Sequence, residues 1–300
     1  ERRLRRLWWF WREWWLWLEV WLVFVLALHF GRGRRHAGAF VLTFVALGIA
    51  GAAMAAVQRF ADPEWMMLGR RQVAQFFGRS SGMFGVPNSL AGLYELMIPA
   101  CLALLFSRAT GAVVKLACAW LAALFLFAVV LTGSRGGWIG LGLALVLWPV
   151  LASRAWWKGA AGALAIAVAA AVGLGALYRF SDHARTRIQP FLEGKFEASR
   201  PVIWKVGVQI WREHPWAGSG SASYNVLFDQ RRPRGFLHVP VWTHNDYLNT
   251  LSDYGVVGFA LWAGAGAGLF ALGWRAVRRA KRETTTGSNP FALAQWKLGL

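Results

Sequence analysis

The chain is expected to be all-α: a polytopic bundle of helices embedded in a bilayer. Three observations lead there. Hydrophobic residues make up 57% of the 300, with 20 Trp and 20 Phe, and charged residues only 16%, against roughly 25% in an ordinary soluble domain. Several apolar runs reach about 17–22 residues, enough to cross a hydrocarbon core of about 30 Å as helix. Arg and Lys gather in the short connections between those runs, where they fix topology. The whole chain, 1–300, reads as one membrane domain. It also reads as a piece of a longer protein, since it begins on Glu1 and ends on FALAQWKLGL, the start of a further apolar segment.

The elements follow in order. Residues 1–15 are basic and Trp-rich, a composition that favours the headgroup layer, so an interfacial helix is expected. The spans are placed at 16–30, 39–57, 89–106, 116–131, 138–151, 159–177 and 255–274, with an eighth begun at the C-terminus. A short amphipathic segment is expected at 65–77. Pro87-Asn88-Ser89 reads as the start of the third span. The Ala/Gly-rich stretches 159–176 and 263–273 predict close helix packing. A long polar loop, 178–254, separates the sixth and seventh spans.

The basic connections 32–35, 107–115, 153–158 and 275–282 fall on one side by parity, and that side is read as cytoplasmic. The opposite, outer side receives 58–87, the TGSRGG turn and the long loop. The basic N-terminus also falls on the outer side, against the rule. Net charge is +19. In a chain this apolar the short-loop charge points to topology and anionic lipid rather than to nucleic acid. It leaves the ten Lys and Arg of residues 179–255 unexplained, and an anionic ligand there is the second reading. Cys101 and Cys118 lie inside apolar runs, with no CxxC spacing or His neighbour, and say nothing of disulfides or metals.

Three outer-side segments could carry chemistry. Arg135, in LTGSRGGW, sits between two apolar runs with almost no loop. An arginine at that depth snorkels or has a partner, and its glycine neighbours allow close approach. Arg200 precedes Pro201, which suits a first helical turn. Its guanidinium would stand at a helix start, where backbone N–H groups also favour an anion. Gly218 and Gly220 read as a flexible turn with free amides. His244 is the third. A lone histidine is more often structural, but Thr243, Asn245 and Asp246 are polar, and Asn249 and Asp253 follow at helical spacing. Imidazole is also the side chain suited to take a proton near neutral pH. His183, His214 and His238 lack such surroundings in the sequence. No HExxH or outer-loop DxD pattern occurs, so neither metal nor cofactor is expected.

These residues also carry a resemblance. His244-Asn245, nine residues, then Gly255-Val256-Val257-Gly258 resembles the H-[NSQ]-x9-G-x-x-[GTY] motif of the bacterial O-antigen ligases. LTGSRGGW, the Arg200-x3-Trp204 segment with HPWAGSGSASY after it, and GMFGVPNSLAG at 82–92 are similar to stretches of the O-antigen ligase and polymerase superfamily, in the same order. The resemblance covers about residues 78–275. It implies a GT-C-type helical bundle with a long, partly helical periplasmic loop, in the bacterial inner membrane. The implied activity is glycan transfer from undecaprenyl diphosphate to lipid A–core, to another lipid-linked repeat or to protein. His244 then corresponds to the family histidine, and Arg135 and Arg200 to the diphosphate-binding arginines. Asp246 or Asp253 would orient the imidazole, and Asn245, Arg79 and Asn88 would support the site. Trp204, Trp216, Tyr224, Trp242 and Tyr247 are candidates for stacking on sugar rings, with interfacial anchoring as the plainer role of each. Arg135, Arg200 and His244 are expected to line one outward-facing cavity. A transporter of lipid-linked anionic glycans would also explain the basic loop. It would need charged residues along the spans, which hold few beyond Glu19, Glu95 and His29.

Overall fold

The computed structural model of the chain describes residues 2–30, 34–107, 110–153, 155–194, 199–237 and 240–285. His238 and the eighth apolar segment lie outside them. The described residues hold α-helices and no strand: α1 Arg2–Phe30, α2 Arg34–Phe60, α3 Pro87–Leu105, α4 Ala112–Thr132, α5 Arg135–Ala152, α6 Trp156–Phe180, α7 Asp182–Leu192, α8 Ser199–Glu213, α9 Tyr224–Arg231 and α10 Asp246–Thr285. Among the described residues, five stretches are long and apolar enough to cross a membrane: Gly38–Phe60, Pro87–Leu105, Ala112–Thr132, Trp156–Phe180 and Asp246–Ala276; α5 is a shorter apolar helix. The protein is an all-α polytopic membrane protein. The interfacial helix expected at 1–15 and the first span expected at 16–30 lie on one continuous helix, α1, from Arg2 to Phe30.

The chain divides into two compact units, one of residues 38–195 and 277–300, the other of 1–37 and 196–276. In the first, α3 and α4 pack around Leu90, Tyr94, Ile98, Ala122, Phe125 and Ala128, with Tyr94 stacked on Phe125 at 5.1 Å. The Tyr94 hydroxyl donates to the Gly48 carbonyl of α2 at 3.0 Å, so a buried polar atom is satisfied across helices. The expected amphipathic segment at 65–77 is instead irregular, with one bridge between Trp65 and Arg71 and a 3-10 turn at Ala74–Phe76. Two buried glutamines hold it in place of a ladder. Gln58 Oε1 accepts from the amides of Ser81 and Gly82, both at 2.8 Å, and Gln72 Nε2 donates to carbonyls of Pro63, Phe76 and Arg79.

Small residues pack less than expected. Gly159 and Gly162 lie against Pro149, but at Gly173, Gly175, Gly264, Gly266, Gly268 and Gly273 an added Cβ would meet nothing within 4 Å. Most of α6 and α10 is therefore open to lipid rather than to a neighbouring helix.

In the second unit, α8 and α9 share a core of Ile203, Val206, Ile210, Tyr224, Leu227 and Phe228. The long loop is thus helical over much of its length. α1 lies against this unit's other elements: its Trp17 indole donates to the Tyr254 hydroxyl at 3.2 Å, and Arg12 stands 5.8 Å from the Trp242 ring centroid. Helix α10 is kinked at Gly255, whose φ of 65° and ψ of −169° break the helical path.

Candidate functional site

The first unit carries one of the three segments singled out by sequence and the second carries the other two. In the first unit it is the turn between α4 and α5. Helix α4 ends at Thr132 with Gly133 in the left-handed region, φ 55°. Ser134 caps α5, accepting from the Gly137 amide at 3.2 Å. Arg135 follows as the first helical residue, half-buried. The last carbonyls of a helix have no partner within it, and here two arginines and a histidine supply one. Arg79 Nε donates to Thr132 O at 3.0 Å, Arg187 Nε to Gly133 O at 3.0 Å, and the His183 ring meets Val130 O at 3.2 Å. The two arginines suit a helix C-terminus electrostatically as well. Asn88 Oδ1 accepts from both Arg79 Nη2 and the Ser134 hydroxyl, at 3.0 and 2.9 Å.

The structure thus brings Arg79 and Asn88 to the turn that carries Arg135. It also revises two expectations. Pro87 is the first helical residue of α3 and Val86 precedes it as a cap without a side-chain bond, so Asn88 is free of cap duty and serves the turn. His183, set aside in the sequence, is carried by α7 to the end of α4. Burial, with Arg59, Arg187 and Arg79 nearby, holds its pKa below the ordinary histidine value. The available signal was the four-residue spacing of His183 and Arg187, which sets both on one helical face.

In the second unit the His244 turn is built in the same way from different parts. Thr243 is fully buried. Its amide donates to Asn249 Oδ1 at 3.1 Å, its hydroxyl donates to Asn245 O at 2.7 Å, and its carbonyl accepts the Trp204 indole N–H at 3.1 Å. His244 follows with φ 55°, a conformation rare for a residue with a Cβ. Asn245 caps α10 by accepting from the Leu248 amide at 3.2 Å. The result presents His244, exposed, in an open cleft of about 480 Å³ that it lines with Trp204, Asn245, Asp246, Tyr247 and Trp262. Tyr247 packs edge-on against Trp262 at 5.6 Å, which makes one wall aromatic.

Arg200 stands half-buried on the first turn of α8, four residues before Trp204 and so on the same helical face. The R-x3-W spacing therefore brings a guanidinium to the side of the helix that carries the cleft's tryptophan. Pro201 lies in that first turn, as expected.

Asp246 and Asp253 part company. Asp246 shares the cleft with His244. Asp253 is 3% exposed, and its carboxylate accepts from Asn249 Nδ2 at 2.9 Å, from the Ser223 hydroxyl at 3.4 Å and from the Tyr224 amide. It holds the start of α9.

Gly218 and Gly220 are not a loose turn with free amides. The Gly218 amide donates to His214 O and the Gly220 amide to Asp253 O, both at 3.0 Å. The Val256 and Val257 amides, freed by the kink, donate to Pro215 O at 2.8 Å and Trp216 O at 3.2 Å. A Cβ at Gly218 would run into the Asp253 backbone, and one at Gly255 into Trp216 O. HPWAGSG and the glycine of the His244 motif are therefore two halves of one clasp around the α10 kink. Among the stacking candidates, Tyr224 is corrected: it is 1% exposed, and its hydroxyl donates to Ile203 O at 2.9 Å in the core. Trp204, Trp216, Trp242 and Tyr247 are exposed.

Among the described residues no group of three or more His, Cys, Asp or Glu side chains is arranged to hold a metal ion. No curated protein matches the chain. Residues 120–263, a stretch that includes Arg135, Arg200 and His244 but neither Arg79 nor Asn88, match the family model described as O-antigen ligase, which places this stretch in the O-antigen ligase superfamily.

Proposed function

We propose that the protein is a glycosyltransferase of the periplasmic face of the bacterial inner membrane, taking a glycan from undecaprenyl diphosphate to an acceptor hydroxyl. The observation that carries this reading is the placement of His244. It is held in a strained conformation and exposed in a cleft with a carboxylate and aromatic walls. Strain of this kind concentrates at functional sites.

The chemistry is a displacement at the anomeric carbon. The acceptor O–H gives its proton to the neutral His244 ring as the oxygen attacks. The new C–O bond forms as the bond to the diphosphate oxygen breaks, and the leaving group departs with the electron pair. Attack opposite the leaving group inverts the anomeric centre. Arg200 and Arg135 bind the diphosphate and offset its growing charge without a metal ion. Asp246 is the carboxylate positioned to pair with the imidazolium that forms. Ligase, polymerase and protein-directed transfer differ in which hydroxyl is presented, and lipid A–core is the acceptor proposed first. Lipids around α1, with its exposed Trp8, Trp11, Trp14 and Trp15, are the other partners.

The test is transfer from an undecaprenyl-diphosphate donor in proteoliposomes with EDTA present, comparing full-length wild type with His244→Ala and Arg200→Ala. Product from wild type and loss in both variants, at equal folded protein, is the expected result. Donor bound and moved across the bilayer with no product, independent of His244, would overturn the reading in favour of transport.

A further inference from the structure

We propose that Asn249 is a positioning residue for His244, acting through the backbone of Thr243 rather than through the imidazole. The inference rests on the reading of His244 as the base. The sequence suggests a simpler device, an Asp253 carboxylate held against the histidine ring. The geometry assigns Asp253 elsewhere, to Asn249, Ser223 and the Tyr224 amide.

Asn249 stands between the two. Its Oδ1 accepts from the Thr243 amide at 3.1 Å, and its Nδ2 donates to Asp253 Oδ2 at 2.9 Å. One neighbour is an obligate donor and the other a carboxylate, so the orientation of the amide is fixed by its partners. Of the side chains this length, only an amide accepts on one side and donates on the other. Leucine does neither. Aspartate keeps the oxygen facing Thr243 and sets a second carboxylate against Asp253.

The far end of the tether is anchored. Asp253 is buried, and Ser223 Oγ lies 2.6 Å from Ser219 Oγ, which donates to Ser252 O at 2.8 Å. The near end governs a residue whose backbone is strained. With φ at 55°, His244 is kept there by what holds Thr243 and Asn245 on either side. The Asn245 amide is tied to Thr243 Oγ1 at 3.2 Å and the Thr243 carbonyl to Trp204. The Thr243 amide has Asn249. Without that bond the preceding peptide is free to rotate and His244 to relax toward negative φ. The ring then leaves its place in the cleft, while Trp204, Tyr247 and Trp262 remain to bind substrate.

The prediction is therefore a loss in kcat with little change in KM. Full-length protein in nanodiscs, with histidine labelled by ¹³C and ¹⁵N, allows the His244 ring to be read by NMR, its signal assigned by its disappearance in His244→Ala. Asn249→Leu is expected to lower kcat about 100-fold, the scale of an ångström's misplacement, to leave KM close to wild type and to displace the His244 ring signals. Asn249→Asp, which keeps the bond to Thr243, is expected to retain wild-type ring signals and a kcat above that of the leucine variant. Should the leucine variant fail to fold, the aspartate variant decides: displaced ring signals there would overturn the proposal. So would a leucine variant with wild-type kcat and ring signals. If wild type itself transfers no glycan, the role of His244 as base fails, and the ring signals of the variants still show whether Asn249 holds it.

Discussion

The turn at Thr132–Arg135 and the turn at Thr243–Asp246 share one local structure but differ in what stands at its left-handed position. In each a fully buried threonine is followed by a residue with φ 55°, then by a cap residue, then by the charged first residue of an apolar helix. The threonine hydroxyl accepts from the cap residue's amide in both, at 3.1 Å for Ser134 and 3.2 Å for Asn245. The cap oxygen accepts from the amide three residues on, at 3.2 Å in both. At the left-handed position the first turn has Gly133, the residue that conformation favours. The second has His244. A left-handed conformation costs a residue with a Cβ about 1–2 kcal/mol, somewhat less for histidine. One turn therefore shows what the backbone wants, and the other shows what is placed there instead. That contrast argues for function at residue 244 independently of any motif.

The comparison is broken most severely by exchanging the odd residue. His244→Gly restores the glycine of the first turn. Transfer is expected to fall by about 10²–10⁴, the range for losing a general base, while resistance to denaturant in mixed micelles rises by about 1 kcal/mol. A variant that is both less active and more stable identifies strain retained for function. Unchanged activity would remove His244 from the mechanism. The reverse exchange, Gly133→His, imports the strain without a purpose. A Cβ there meets the His183 ring at 3.3 Å and Arg187 Cγ at 3.5 Å. Destabilisation of about 2 kcal/mol is expected from the backbone conformation with this crowding, measured by the same unfolding curve.

The caps sharpen the comparison at a smaller scale. Ser134→Ala and Asn245→Ala each remove one bond to an otherwise unpaired helix amide and are expected to cost about 1 kcal/mol. Their activities should separate. The Ser134 hydroxyl also donates to Asn88, which in turn holds Arg79, so its loss should raise KM for the lipid-linked donor. Loss of Asn245 loosens the peptide next to His244 and should lower kcat. Equal effects on both constants would argue that the two turns serve one structural purpose.

The second turn was legible in the sequence because its chemistry is local. Thr243, His244, Asn245 and Asp246 are contiguous, and Asn249 and Asp253 follow on the same helix. What could not be read was which partner each would take. Asp253 is drawn away by Ser223 and Tyr224, thirty residues earlier in the chain, and no local period encodes that. The HPWAGSG glycines look flexible until the α10 kink they enclose is known. The spans were legible from apolar length alone, whereas the continuity of α1 from the basic, Trp-rich segment into the first span was not. The first turn was half-legible. Arg135 stood out between two apolar runs, whereas Arg79, His183 and Arg187 reach it from 53 or 54 residues away.

His183 provides the finest test, because it is the titratable member of the side chains that finish α4 and has no counterpart at the second turn. Burial is the largest influence on it, followed by Arg59; both disfavour its charged form, as do Arg187 and Arg79, while its contact with Val130 O works the other way. Its folded pKa lies below the ordinary histidine value of 6.5. The unfolded chain therefore binds the proton more readily, and stability contributed by the neutral ring is present above pH 6.5 and is lost as pH falls through the lower folded value. Half-exposure limits the size of the effect. His183→Gln keeps a donor for Val130 O and removes the titration. Its unfolding curve is expected to depend less on pH below 6.5 than that of wild type. A variant with the same slope as wild type would assign the acid sensitivity of this end of the bundle to another group.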